Sequence, residues 1–176
     1  MSLLHPPEAG EFGPFYSGYV EKAGSDPIGL LDRQSVRFRT LGGTLTEEQS
    51  AHRYAPEKWS VKQVIGHLID SERIMSYRAL RIARGDATPL AGFDENAYAA
   101  AAGSDRRSIA DLLGEMTAIR AASIALFRSL DTEAFERVGM ANAVPVSARA
   151  MVFITAGHTE HHLGVLADRY GIAIPD

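Results

Sequence analysis

Three histidines carry the chemistry this sequence offers. Near the C-terminus stands Gly157-His158-Thr159-Glu160-His161-His162-Leu163. An α-helix turns about 100° per residue, so residues four apart project from one face. His158 and His162 therefore point the same way, with Cβ atoms roughly 5–6 Å apart, a spacing that lets two imidazoles grip one ion. The third, His67, lies in Val64-Ile65-Gly66-His67-Leu68-Ile69-Asp70, another apolar-faced helical stretch. Three neutral imidazoles converging inside a bundle make a metal site with a position left for water or substrate. The alternative is three core histidines, each satisfied by a hydrogen bond. Burying three imidazoles without a metal or a partner leaves several polar nitrogens to satisfy, which weighs against it.

The remaining histidines fit less well. His161 lies about 60° from His158 on the helical wheel, which places it beside the ligands or partly exposed. His5 and His52 sit in irregular segments with no spacing that recruits them. The string is not the zinc-protease signature, whose glutamate directly follows the first histidine. Thr159 holds that position here, and Glu160 lies about 200° round the helix, facing away. On the other helix Ser71 shares the face of His67 one turn later, and Asp70 lies to the side, within reach of a supporting role.

Four long helical patterns must position these side chains. Asp26-Pro27 opens the first, with Leu30, Leu31, Gln34, Phe38 and Leu41 at helical spacing and Gly42-Gly43 as its end. Thr46-Glu47-Glu48-Gln49 has capping-box spacing and opens a short turn. A second box, Ser60-Val61-Lys62-Gln63, precedes a long helix to about Arg84, with Trp59 stapling its entry. Arg73, Arg78, Arg81 and Arg84 on this helix form a solvated face or internal ion pairs. Ser108 caps the third helix and Ser147 the last, which stops at Gly171. The stretch from Arg137 to Val146 has no period and is expected to be irregular, with Val144 to Val146 too short for a strand. The expectation is an all-α four-helix bundle with a long connection between helices two and three. Residues 1–25 form an N-terminal arm whose Phe12, Phe15, Tyr16 and Tyr19 pack on the bundle or on a second subunit; residues 26–176 form the bundle domain.

Composition narrows the function classes. The apolar fraction of 45% and charged fraction of 23% are those of an ordinary globular protein. With no cysteine, disulfides, cysteine-zinc sites and thiol nucleophiles are excluded, so any metal is held by His, Asp or Glu. The net charge of −4 argues against a nucleic-acid surface. No run of about 18–20 apolar residues suggests a membrane span, and the N-terminus lacks a secretory pattern, so the cytoplasm is the expected location.

The motifs Trp59-Ser60-x-Lys62-x-Val64-x-Gly66-His67-Leu68, Phe93-Asp94-Glu95 and His158-x-x-x-His162, in this order, resemble the DinB/YfiT superfamily of metalloproteins. Tyr54-Ala55-Pro56-x-Lys58-Trp59 and Ala83-Arg84-Gly85-Asp86-x-Thr88-Pro89-Leu90 extend the resemblance over nearly the whole chain. It implies a bundle of down-up-up-down type, a divalent metal on His67, His158 and His162, and a homodimer. Members with an assigned chemistry include thiol transferases using bacillithiol or similar low-molecular-weight thiols, and mycothiol-dependent isomerases. Imidazole suits zinc, nickel, copper and iron alike, and only geometry separates them; zinc or nickel is the expected ion.

The resulting expectation is a metal-dependent enzyme of thiol-S-transferase type, with a low-molecular-weight thiol and a small-molecule substrate. The lack of cysteine fits a nucleophile supplied from outside. The alternatives are a metal-dependent hydrolase and a non-catalytic, stress-related bundle that binds a metal or a partner. Asp94, Glu95 and Tyr98, in the long connection, are the candidates for a base or a lid; their competing role is ordinary loop and capping residues.

Overall fold

Polar side chains just ahead of apolar runs decide where the helices begin. The computed structural model describes residues 4–175. Its elements are α1 (Ser17–Ala23), α2 (Pro27–Thr44), α3 (Glu47–Ala51), α4 (Val61–Ala83), α5 (Glu95–Ala101), α6 (Ile109–Arg128), α7 (Thr132–Glu136), β1 (Val138–Ala141), β2 (Val144–Ser147) and α8 (Ala148–Tyr170). Asp26 accepts from the Gly29 amide at 3.0 Å, and Thr46 and Ser60 head complete capping boxes with Gln49 and Gln63. Ser108 and Ser147 accept from the Asp111 and Ala150 amides at 3.1 and 2.9 Å. Each cap satisfies a backbone donor that the helix itself cannot, an effect of about 1 kcal/mol.

The long helices α2, α4, α6 and α8 form the bundle. Helix α4 packs against α6 and α8, and α2 against the same two, so α2 and α4 face each other across a diagonal. Two apolar clusters fill the interior. One joins Leu31, Met75, Ala79, Ile82, Phe127 and residues 150–154 of α8; the other joins Phe38, Leu41, Val64, Leu68, Leu112, Met116, Leu163 and Leu166. Between them, at mid-height on all four helices, runs a polar layer: Gln34, His67, Glu72, Arg120, His158 and Thr159, every one buried. Among the described residues, no helix is long and apolar enough to cross a membrane.

The polar layer closes on itself. Arg120, fully buried, donates from Nε to both Glu72 carboxylate oxygens at 2.8 and 3.0 Å. Its Nη2 reaches Glu72 Oε2 at 2.7 Å and Thr159 Oγ1 at 2.9 Å, while Nη1 reaches Gln34 Oε1 at 2.8 Å. Gln34 in turn donates to the Ala156 carbonyl and to Glu160, which also pairs with Arg37 at 3.1 Å. Burying a charge is costly unless it is paired and hydrogen-bonded, and this one is both.

Two sequence expectations need correction. Helix α2 runs through Gly42 and Gly43 to Thr44 and stops at Leu45, whose amide still bonds to the Leu41 carbonyl. Both glycines keep the helical conformation, so they weaken the last turn without ending it. The stretch expected to be irregular is an antiparallel hairpin, with Val138 opposite Ser147 and Ala141 opposite Val144. Asn142 and Ala143 both adopt positive φ, 53° and 62°, as a two-residue type I′ connection requires. Asn-Ala stands where Asn-Gly would announce such a turn. The long connection is stitched to this hairpin by Leu90, whose amide donates to the Met140 carbonyl at 2.8 Å and whose carbonyl accepts from the Asn142 amide at 3.0 Å.

Candidate metal centre

His67, His158 and His162 meet in the polar layer between α4 and α8. His67 Nε2 and His158 Nε2 stand 3.0 Å apart, and one nitrogen from each of the three rings lies within 4.8 Å of the others. Two nitrogens of a tetrahedral zinc site with bonds of about 2.0–2.1 Å are roughly 3.3 Å apart, a value the observed separations bracket. Burial pushes the His67 imidazole down to about 4 and His162 to about 3, with its histidine neighbours adding to the effect at His162. His158 is held well below the usual imidazole range by burial and then by the same neighbours. All three rings are therefore neutral near pH 7, the form that ligates metal. His162 Nδ1 is buried and has no hydrogen-bond partner among the described residues. Such orphaned atoms are uncommon and call for a ligand or a water. An all-nitrogen donor set of neutral imidazoles fits a borderline divalent transition-metal ion.

Neighbouring side chains hold the rings in place. Ser71 Oγ lies 3.5 Å from His67 Nδ1, and the Trp59 ring is 4.9 Å from the His67 ring. Tyr19 of α1 stacks edge-on against His158 at 5.2 Å and also touches His161 at 5.5 Å. Helix α1 can come this close because residue 157 is glycine: a Cβ there would lie 1.7 Å from the Tyr19 carbonyl oxygen. Tyr16 is buried while Phe15 stays 57% exposed, so the aromatic segment packs on its own bundle with one ring left outside. His161 is half-buried beside the three rings, and among the described residues Asp70 makes no hydrogen bond to His67. Burial raises the Asp70 carboxyl, and its charged neighbours are Arg73, Glu115 and Arg107. Glu160 belongs to the Arg37 and Gln34 side of the helix, away from the three rings.

A cavity of about 190 Å³ opens over His67 and His158. Helix α4 supplies one wall with Ser71, Met75 and Arg78; Phe15, Tyr16 and Tyr19 form the second; Phe93, Glu95 and Asn142 close the third. The structure thus separates the three candidates from the long connection. Glu95 is exposed and on the cavity wall. Asp94 spends its carboxylate capping α5, accepting from the Asn96 and Ala97 amides at 2.9 and 3.1 Å. Tyr98 is 47% exposed and lines an adjoining groove with Tyr77 and Pro89, on the other side of Arg78 and Phe93, which border both spaces.

Tyr19, Arg78 and Asn142 are cavity residues that the histidine spacing does not announce. Arg78 had a signal, since it falls at offsets of 4, 8 and 11 from His67 along with Ser71 and Met75. Of the α4 arginines, Arg73 pairs with Glu115 at 2.5 Å and Arg81 with Asp86, while Arg78 turns inward.

With this geometry in place, comparison with known proteins assigns the family. The model of the DinB superfamily matches residues 30–166, and the chain belongs to that superfamily. Its fold matches YfiT from Bacillus subtilis, described as "a probable metal-dependent hydrolase with an unusual four-helix bundle topology", at TM-score 0.72 and 17% identity over 96% of this chain and 95% of that one. It also matches a mycothiol-dependent maleylpyruvate isomerase at TM-score 0.64 and 11% identity, covering 78% of this chain and 58% of that one. No curated protein sequence matches the chain significantly.

Proposed function

We propose that the protein is a divalent-metal-dependent enzyme of thiol-S-transferase type, acting on a small electrophile with a low-molecular-weight thiol. The observation that carries this reading is the convergence of three neutral imidazoles, two of which, His67 and His158, line a cavity that remains open to small molecules. A bound zinc or nickel ion would supply Lewis acidity and lower the pKa of a water or thiol beside it. The chain's own groups do the rest. His67, His158 and His162 hold the ion as neutral donors, and Ser71 and Trp59 keep His67 oriented. Burial, followed by the Glu95 charge and Tyr16, raises the Tyr19 phenol, so it stays protonated and can donate to a leaving group. Glu95, on the opposite wall, can take the proton from an incoming thiol. With no cysteine in the chain, the sulfur nucleophile comes from solution. The thiol dependence of the isomerase with the related fold supports this chemistry.

A hydrolase is the second reading, favoured by the description of YfiT and by the same Glu95 and Tyr19 placed for water instead of thiol. The discriminating experiment loads the protein with zinc or nickel and offers chlorodinitrobenzene with a panel of low-molecular-weight thiols, and activated esters without them. Thiol consumption that disappears in His67→Ala supports the transferase. Ester cleavage without thiol, lost in the same variant, replaces it with the hydrolase, and inactivity in every arm leaves a non-catalytic metal-binding bundle. On either enzymatic reading the protein works in the cytoplasm as a homodimer, without nucleic-acid or membrane partners. Phe15, Val138 and Met140 are among the exposed apolar side chains available for pairing, and a monomer mass by light scattering at micromolar concentration contradicts the dimer.

A further inference from the structure

We propose that Arg78 is the anchor for a carboxylate on the small molecule that enters the histidine cavity. This deepens the function proposed above and rests on it for the location of the reacting end. The bundle contains two buried arginines with opposite fates. Arg120 has all its donors engaged by Glu72, Gln34, Thr159 and the Leu31 carbonyl. Arg78 is nearly as withdrawn, 3% exposed, yet its partners are uncharged: Nη2 donates to the Ala91 carbonyl at 2.6 Å, and the guanidinium also faces the Tyr16 hydroxyl. No carboxylate among the described residues lies within 4.0 Å of it. Its guanidinium sits 5.9 Å from the centre of the Phe93 ring, which fixes its plane without neutralising its charge.

A buried cation without a counter-charge is costly, and a ligand carboxylate that supplies one is bound correspondingly well. The planar fork of arginine matches a carboxylate through two parallel N–H···O bonds. Position gives the geometry its meaning. His67, Ser71, Met75 and Arg78 form one stripe of α4 and line the same cavity, so it has imidazoles at one end, an apolar methionine midway and the guanidinium at the other. The cavity has room for about six waters at roughly 30 Å³ each, enough for a short chain with an anionic tail and too little for a bulky one. The occupant is a small carboxylate whose reactive end faces the histidines.

The test compares 6-mercaptohexanoate with its methyl ester on the full-length protein, both stripped with EDTA and loaded with cobalt(II). Binding is followed by amide NMR shifts around residues 75–80 and 90–93, and in the loaded protein by the cobalt–thiolate absorption band. The acid should bind at least tenfold more tightly than the ester in both forms. Arg78→Gln should erase that preference while leaving the ester's affinity and the cobalt content unchanged. Arg78→Lys, which keeps the charge without the fork and preserves folding should the glutamine variant lose it, should retain a reduced preference. Equal binding of acid and ester in the wild type, or a preference that survives in Arg78→Gln, overturns the assignment. A preference in the stripped protein with no thiolate band in the loaded one upholds Arg78 and removes the metal–thiol reading instead.

Discussion

Replacing Glu72 with glutamine tests the polar layer that carries the histidines. Glu72 is 2% exposed and provides the negative partner of a fully buried arginine. In Glu72→Gln, Arg120 keeps Gln34, Thr159 and the Leu31 carbonyl but loses its counter-charge, and one of the two oxygens that accept at 2.7, 2.8 and 3.0 Å becomes an NH2 donor facing the guanidinium. Breaking one side of a buried ion pair costs about 3–5 kcal/mol, most of it the penalty of an uncompensated charge. At about 2–4 °C per kcal/mol for a chain of this size, the melting temperature should fall by roughly 10 °C. Removing both partners, as in Glu72→Leu/Arg120→Met, takes the stranded charge away, so the double variant should be more stable than either single one. Urea denaturation of the metal-free wild type, Glu72→Leu, Arg120→Met and the double variant measures the four corners of the cycle, with Glu72→Gln beside them. A loss below about 1 kcal/mol in Glu72→Gln, or a double variant as unstable as the sum of the singles, refutes the view of this layer as a coupled buried network.

Three further outcomes follow from the geometry. His158→Ala should weaken zinc affinity far more than His161→Ala, because His161 lies beside the cluster and outside it; equal losses by competition with a chelator would contradict the ligand set. In the metal-free protein, burial lowers His67 to about 4 and His162 to about 3, so the unfolded chain takes up protons first as pH falls below about 6.5. The stability contribution is therefore complete above that pH and falls on acidification, by about 2–3 kcal/mol between pH 7 and 5.5 for the two rings together; denaturation midpoints that stay flat over that window contradict it. Ala143→Gly should stabilise the protein by about 0.5–1 kcal/mol, since Ala143 occupies φ 62° and glycine reaches that conformation without strain. A lower melting temperature would show that the turn carries no strain.

The helices were legible because their signals are local. The capping boxes at Thr46 and Ser60, and the caps at Asp26, Ser108 and Ser147, sit within three residues of the groups they satisfy, and each makes the expected bond. The four-residue spacing of His158 and His162 likewise declares a shared face. What remained hidden depends on partners distant in the chain. Glu72 and Arg120 are 48 residues apart and read singly as surface charges; only the packing of α2, α4, α6 and α8 shows them to be a buried pair. Tyr19 over His158 and the inward turn of Arg78 are of the same kind, set by how α1 and the long connection close on the bundle. The hairpin escaped notice because Ala143 occupies a conformation that a glycine would have announced.

The central claim is that His67, His158 and His162 hold one divalent ion. Elemental analysis of protein purified without an affinity tag, beside His67→Ala, tests it most directly. About one zinc or nickel per chain, lost in the variant, is the predicted result. No metal in either protein, even after incubation with zinc and nickel salts, would make the histidines structural and contradict the account.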